Sequence, residues 1–205
     1  EGYTDIPRWI MQGYLTLMDE AAEQMTRLGR HPTHVLLQAG VGAFAAAMTG
    51  YLVNRYRHNP PRIVIMEPQA AACFLASAAS ADGQPQTVGG DLATIMAGLA
   101  CGEPHPAAWK ILRSFASGFL SCADFTAANG MRILAHPLEG DPALEAGESA
   151  AVGLGVLDLL MNAPALAALK HQLDLGPGAT LLCFNTEGAT DPANYRAIVG
   201  GNPST

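Results

Sequence analysis

The sequence predicts an α/β fold, a mostly parallel sheet flanked by helices in three layers. Three observations predict it. Residues 34–38 (HVLLQ), 62–67 (RIVIME) and 179–185 (ATLLCFN) are apolar without strict alternation, as strands covered on both faces are. A helix-length stretch separates the first two, which makes a strand–helix–strand unit and therefore a parallel pair. Small or turn-forming residues follow each run: Ala39-Gly40, Pro68 and Thr186. The 205 residues fit one domain, 1–205, and no linker-like stretch divides them.

The elements follow in order. Asp5 is placed to cap a first helix and Pro7 suits its first turn. Met11, Tyr14, Met18, Ala21, Met25 and Leu28 then recur at three- and four-residue steps until Gly29 stops the helix. After the strand 34–38, Ala39-Gly40-Val41-Gly42-Ala43 is a tight loop. Phe44 to about Arg57 is the next helix, broken by Asn59-Pro60-Pro61. The second strand, 62–67, leads to a helix from about Gln69 to Ala79. Residues 80–92 (SADGQPQTVGGDL) have loop composition. A helix over 106–117, a short strand over 119–122 and a helix from Asp124 to about Leu134 come next. After a polar loop at 137–147, helices are expected over 149–161 and 164–173, before the last strand, 179–185.

Composition narrows the function classes. Apolar residues make up 49% and charged residues 14%, against about 25% charged in an average domain, which excludes a disordered chain. A net charge of −7, with no run of Lys or Arg, argues against a nucleic-acid partner. No apolar run approaches ~18 residues, so no membrane span is expected, and the first residues lack a signal-peptide pattern. Cys73, Cys101, Cys122 and Cys183 are scattered, which suits free thiols in a reducing compartment, so the cytoplasm is expected. Cys73 and Cys101 bracket the 80–92 loop, which leaves a redox pair open as a minor alternative. The six histidines show no metal-ligand spacing, so no metal site is expected.

One local pattern carries chemistry. In Gln38-Ala39-Gly40-Val41-Gly42-Ala43, small residues between a buried strand and a helix start let backbone N–H groups approach an anion, and the helix dipole adds positive charge. A phosphate group is the natural ligand; a tight turn chosen for packing is the other explanation. Gly40, Gly42 and Ala45 also satisfy G-x-G-x-x-A, which keeps a nucleotide-binding α/β module open, with Glu67 as ribose partner. Glu67 lies further along than the usual ~20 residues, however, and a long helix precedes the fingerprint strand. Three weaker patterns are Asn185-Thr186-Glu187-Gly188 at the end of the last strand, Gly147-Glu148-Ser149-Ala150 at a helix start, and Gly89-Gly90-Asp91.

Five stretches, in order, resemble the C-terminal portion of the diaminopropionate ammonia-lyase family, pyridoxal-phosphate enzymes of fold type II, the tryptophan-synthase-β class. They are EGYTDIPRWIMQGY, THVLLQAGVGA, VGGDLATIMAGLACGEP, GESAAVGLGVL and NTEGATD. The resemblance implies pyridoxal 5'-phosphate as cofactor and removal of ammonia from 2,3-diaminopropionate to give pyruvate and a second ammonia. It implies that Ala39, Gly40, Val41, Gly42 and Ala43 wrap the cofactor phosphate. Thr186, or Asn185 beside it, would be a neutral partner of the pyridine nitrogen, Glu148 would line the far side of the ring, and Asp91 and Thr94 would approach the substrate. The family's Schiff-base lysine lies in an N-terminal half that is absent here. Lys110 and Lys170, the only lysines, do not sit in its motif. No catalytic residue is therefore expected in this chain, which is expected to be inactive alone, to expose apolar surface, and to associate with the missing half and as a homodimer. A serine or threonine dehydratase of the same class is the alternative activity.

Overall fold

A computed structural model of the chain describes residues 5–201. Four parallel strands, β1 (His34–Gln38), β2 (Arg62–Pro68), β3 (Gly118–Cys122) and β4 (Leu181–Cys183), form one sheet in the order β3-β2-β1-β4. The described helices are α1 (Asp5–Arg27), α2 (Ala43–Arg55), α3 (Cys73–Ala79), α4 (Pro106–Phe115), α5 (Asp124–Ala135), α6 (Glu148–Asn162), α7 (Ala167–Gln172) and α8 (Pro192–Gly200).

Alternation along the strands builds the three layers. Val35 and Leu37 of β1, with Ile63 and Ile65 of β2, bury against Met18 and Ala22 of α1, Met48 and Leu52 of α2, and Trp109 and Leu112 of α4. Leu36, Val64 and Met66 point to the other face and meet Ala127 of α5 and Val152, Val156 and Leu160 of α6. Each strand therefore feeds two cores, which is why its sequence does not alternate. On the second face α5 and α6 touch closely, because a Cβ at Gly155 would lie 1.8 Å from the Thr126 carbonyl oxygen.

The differences from expectation are local. Asp5 lies inside the first turn of α1, and Asp124 is the first residue of α5 rather than its cap. The stretch from Gln69 splits into a 3₁₀ turn and α3, and that from Pro164 into a 3₁₀ turn and α7. β4 is three residues long because only Leu181 to Cys183 pair with β1. Helix α8 is additional; its start signal, Asp191-Pro192, is legible, and the Asp191 carboxylate accepts from the Ala193 and Asn194 amides. The first four residues of the EGYTDIPRWIMQGY stretch lie outside the described residues. Trp9, Phe125 and Leu138 are exposed. No single described helix is long and apolar enough to cross a membrane.

Strand order fixes where a ligand can sit. From β1 the chain moves to β2 and β3 on one side, and β4 returns to the other side of β1. The carboxyl ends of β1 and β4 therefore flank the crevice where the sheet changes direction, the place where open α/β sheets bind ligands.

Candidate functional site

A cavity of about 870 Å³ opens at that crevice, lined by residues 38–44, 98–99, 103–106 and 186–188, with Cys101, Ser149 and Tyr14. Its volume falls within the range of small-molecule sites, roughly 300–1,000 Å³.

The floor is the glycine turn. The Ala39 amide still continues the ladder, donating to the Met66 carbonyl at 2.9 Å, but beyond it the chain leaves the sheet. Gly42 adopts φ +91°, a left-handed conformation, and starts α2 without any side-chain cap. A Cβ there would lie 2.3 Å from Cζ of Phe74, so position 42 admits only glycine. The first intrahelical bond runs from the Ala46 amide to the Gly42 carbonyl. Among the described residues nothing accepts from the amides of residues 40–44. These donors carry the positive end of the α2 dipole to the cavity wall.

The facing wall comes from β4 and α6. Gln38, the last residue of β1, is buried; its Nε2 donates to the Phe184 carbonyl at 3.1 Å and to Thr186 Oγ at 2.9 Å. Glu187 accepts from the Ser149 amide at 2.8 Å, and its own carbonyl accepts from the Gly147 amide, so the turn after β4 is stapled to the start of α6. Ser149 Oγ is buried with no partner among the described residues, and a Cβ at Gly98 would crowd it at 3.1 Å.

Ala39, Gly40, Val41, Gly42, Ala43 and Thr186 thus share one cavity. The structure does not bring Asn185, Glu148, Asp91 or Thr94 to its lining. Asn185 donates to the Glu145 carbonyl, away from Thr186. Glu148 accepts from Asn194 Nδ2 of α8. Asp91 accepts from the Ala93 amide within its own loop, and the Thr94 hydroxyl donates to Asp124 at 2.5 Å. Gln38 and Ser149 lay inside the singled-out stretches 38–43 and 147–150 without an assigned role, and Cys101, Glu103 and His105 line the cavity from outside the local patterns singled out for chemistry. The signal of the first two was position: Gln38 is the polar end of an otherwise apolar strand, and Ser149 follows a helix-start glycine.

The ribose-partner role of Glu67 fails on geometry. Glu67 is fully buried and accepts from the Phe74 and Leu75 amides at 2.8 and 2.9 Å, filling the start of α3 instead of facing the cavity. Burial pushes its carboxyl up to about 7, against the pull of those amides. Cys73 donates its thiol proton to Glu67, and burial, then the Glu67 charge, push that thiol up to about 12. All four cysteines are free thiols. No cluster of His, Cys, Asp and Glu among the described residues could hold a metal ion.

Comparison with known proteins gives this geometry its context. The family model of pyridoxal-phosphate dependent enzymes matches residues 2–185. Diaminopropionate ammonia-lyase from Escherichia coli strain K12 is 53% identical over 199 residues, 97% of this chain and 50% of that protein. The Salmonella typhimurium protein of the same name is 49% identical over 97% of this chain and 50% of its own length. The crystal structure of the E. coli lyase in complex with an aminoacrylate-PLP azomethine reaction intermediate superposes with a TM-score of 0.89 at 51% identity, over 97% of this chain and 50% of that one. The fold is that of the fold type II enzymes, and this chain spans about half the length of the curated relatives it matches. The residues present suit the family's cofactor: unpaired amides for a phosphate on one wall, and the Ser149 and Thr186 hydroxyls on the other. The chain belongs to the pyridoxal-phosphate dependent enzyme family.

Proposed function

We propose that this chain is the cofactor-holding, C-terminal portion of a pyridoxal-phosphate-dependent ammonia-lyase. The enzyme converts 2,3-diaminopropionate and water to pyruvate and two ammonia. The observation that carries the reading is the pairing of the glycine turn with Thr186 across one cavity. The relatives at 53% and 49% identity support the choice of substrate.

In this reading the amides around Val41 bind the cofactor phosphate, with the dipole of α2 behind them. The Thr186 hydroxyl meets the pyridine nitrogen as a neutral partner, and the Ser149 hydroxyl gives a further polar contact. Asn185 and Glu148 brace the wall through Glu145 and Asn194. Asp91 and Thr94 belong to the loop above, which Asp124 pins. When bound, pyridoxal phosphate supplies an electron sink for the charge left by a departing α-proton. The apolar side chains of Tyr14, Phe44 and Leu99 limit water around that charge. The N-terminal half contributes the Schiff-base lysine, and the complete enzyme is a cytoplasmic homodimer.

The test is cofactor loading and product release. The full-length protein carrying this sequence should bind pyridoxal phosphate with visible absorbance and release pyruvate from 2,3-diaminopropionate faster than from serine or threonine. The 205-residue chain alone should release none. Faster turnover of serine or threonine would replace the lyase with a dehydratase; absence of cofactor absorbance would remove the whole reading.

A further inference from the structure

The structure assigns Gln38 a positioning role: by donating to Thr186 Oγ it biases that hydroxyl toward giving its proton to the ligand, and so biases the ring nitrogen that meets it toward the unprotonated state. The inference rests on the reading of Thr186 given above and extends it one residue deeper.

The hydrogen bonds determine the orientation of the Gln38 amide. Gln38 Nε2 lies 3.1 Å from the Phe184 carbonyl oxygen, which only accepts. The side-chain amide must therefore turn its NH₂ group, not its oxygen, toward Phe184. The second hydrogen of that nitrogen goes to Thr186 Oγ at 2.9 Å. A hydroxyl has one proton and two lone pairs. Gln38 takes a lone pair, and none of the described residues accepts the proton. Thr186 lines the cavity, so the directions left to a ligand are its proton and one remaining lone pair; accepting from Gln38 polarises the O–H and favours the proton.

A donor in that place matches a ring nitrogen with a free lone pair and opposes a protonated one. The amide that sets this is only 4% exposed, fixed at the end of a central strand, and uncharged at every accessible pH. The bias toward an unprotonated ring would therefore come from a group that no change of buffer titrates. Reversing the polarity needs only a change of residue type. An ionised carboxylate at position 38 accepts but does not donate, so above its own titration, which burial raises, the Thr186 proton would turn toward it and a lone pair would face the cavity.

The experiment uses the full-length protein loaded with pyridoxal phosphate carrying ¹⁵N at the ring nitrogen, read by NMR across pH 6–9. The unsubstituted protein should show an unprotonated ring nitrogen throughout. Gln38→Glu should move the resonance toward the protonated range at the alkaline end of that window, where the buried carboxyl is ionised. Gln38→Met, which removes the donor at similar volume, should raise the pH of ring protonation by about one unit, a tenfold change in proton affinity. It also serves if Gln38→Glu does not fold. Thr186→Val should likewise shift the resonance. If both Gln38 variants bind the cofactor and keep the original resonance and titration while Thr186→Val alters them, Gln38 does not set the polarity. If Thr186→Val changes nothing, the ring-nitrogen role of Thr186 falls, and the role of Gln38 with it. Failure of the unsubstituted protein to take up the cofactor overturns the function itself.

Discussion

Two helices begin against the same cavity, and they begin differently. The first amides of α6 are met from within the protein, where the Glu187 carboxylate accepts from Ser149 and its carbonyl from Gly147. The first amides of α2 meet no acceptor among the described residues, and no side chain caps that helix. A third start, that of α3, is closed completely by buried Glu67. Helix starts attract negative charge for one physical reason, unpaired amides plus a dipole. The contrast separates two uses of it. Where the chain supplies the acid, the helix start is structural; where it supplies only glycine and small residues, the acid must come with a ligand.

Substitution at Gly42 should break the contrast most severely. In Gly42→Val a Cβ would clash with Phe74 and the backbone would be held at φ +91°. We expect a loss of about 3 kcal/mol in urea unfolding and no measurable cofactor binding. Wild-type cofactor affinity in this variant would mean that the α2 start is not the phosphate site.

The α3 start should reveal itself in pH dependence. Glu67 has its carboxyl raised from 4.5 to about 7, so between these values the folded chain holds a proton that the unfolded chain releases. Its contribution to stability is complete below about pH 4.5 and is lost as pH rises through about 7. Unfolding free energy should therefore fall by on the order of 3 kcal/mol between pH 4.5 and pH 8 from this group. In Glu67→Gln that part of the slope should vanish. An unchanged slope would show that Glu67 titrates equally in both states.

Ser149 sharpens the comparison at the smallest scale. Its hydroxyl is buried and unpaired in the protein, so Ser149→Ala should leave stability unchanged or raise it by up to about 1 kcal/mol. The same change should weaken cofactor affinity by roughly tenfold, the worth of one hydrogen bond. Equal losses in both measurements would make the hydroxyl structural.

Much of this molecule was legible before any coordinates. The uniform apolar strands 34–38 and 62–67, the stripe of α1 and its end at Gly29 follow from local sterics and periodicity, and they hold. So does the turn at Gly40 to Ala43, because the close approach at Gly40 and the left-handed Gly42 call for glycine. What failed to show was contact between distant polar groups. Nothing local says that Asn185 turns to Glu145 while its neighbour Thr186 turns to Gln38. Nor does the spacing of Glu67 say that it is spent on the α3 amides.

The sequence by itself determined the element types and the character of the glycine turn, which depend on interactions within about a dozen residues, and the parallel pairing of the first two strands, which one strand–helix–strand unit imposes. Only the tertiary structure decided that β4 lies beside β1, which brings Thr186 into the cavity that Val41 lines and gives Gln38 its two acceptors. The physical reason is that strand order is chosen by burial across the whole sheet, whereas the direction of a hydrogen bond is chosen by whichever group burial happens to bring near.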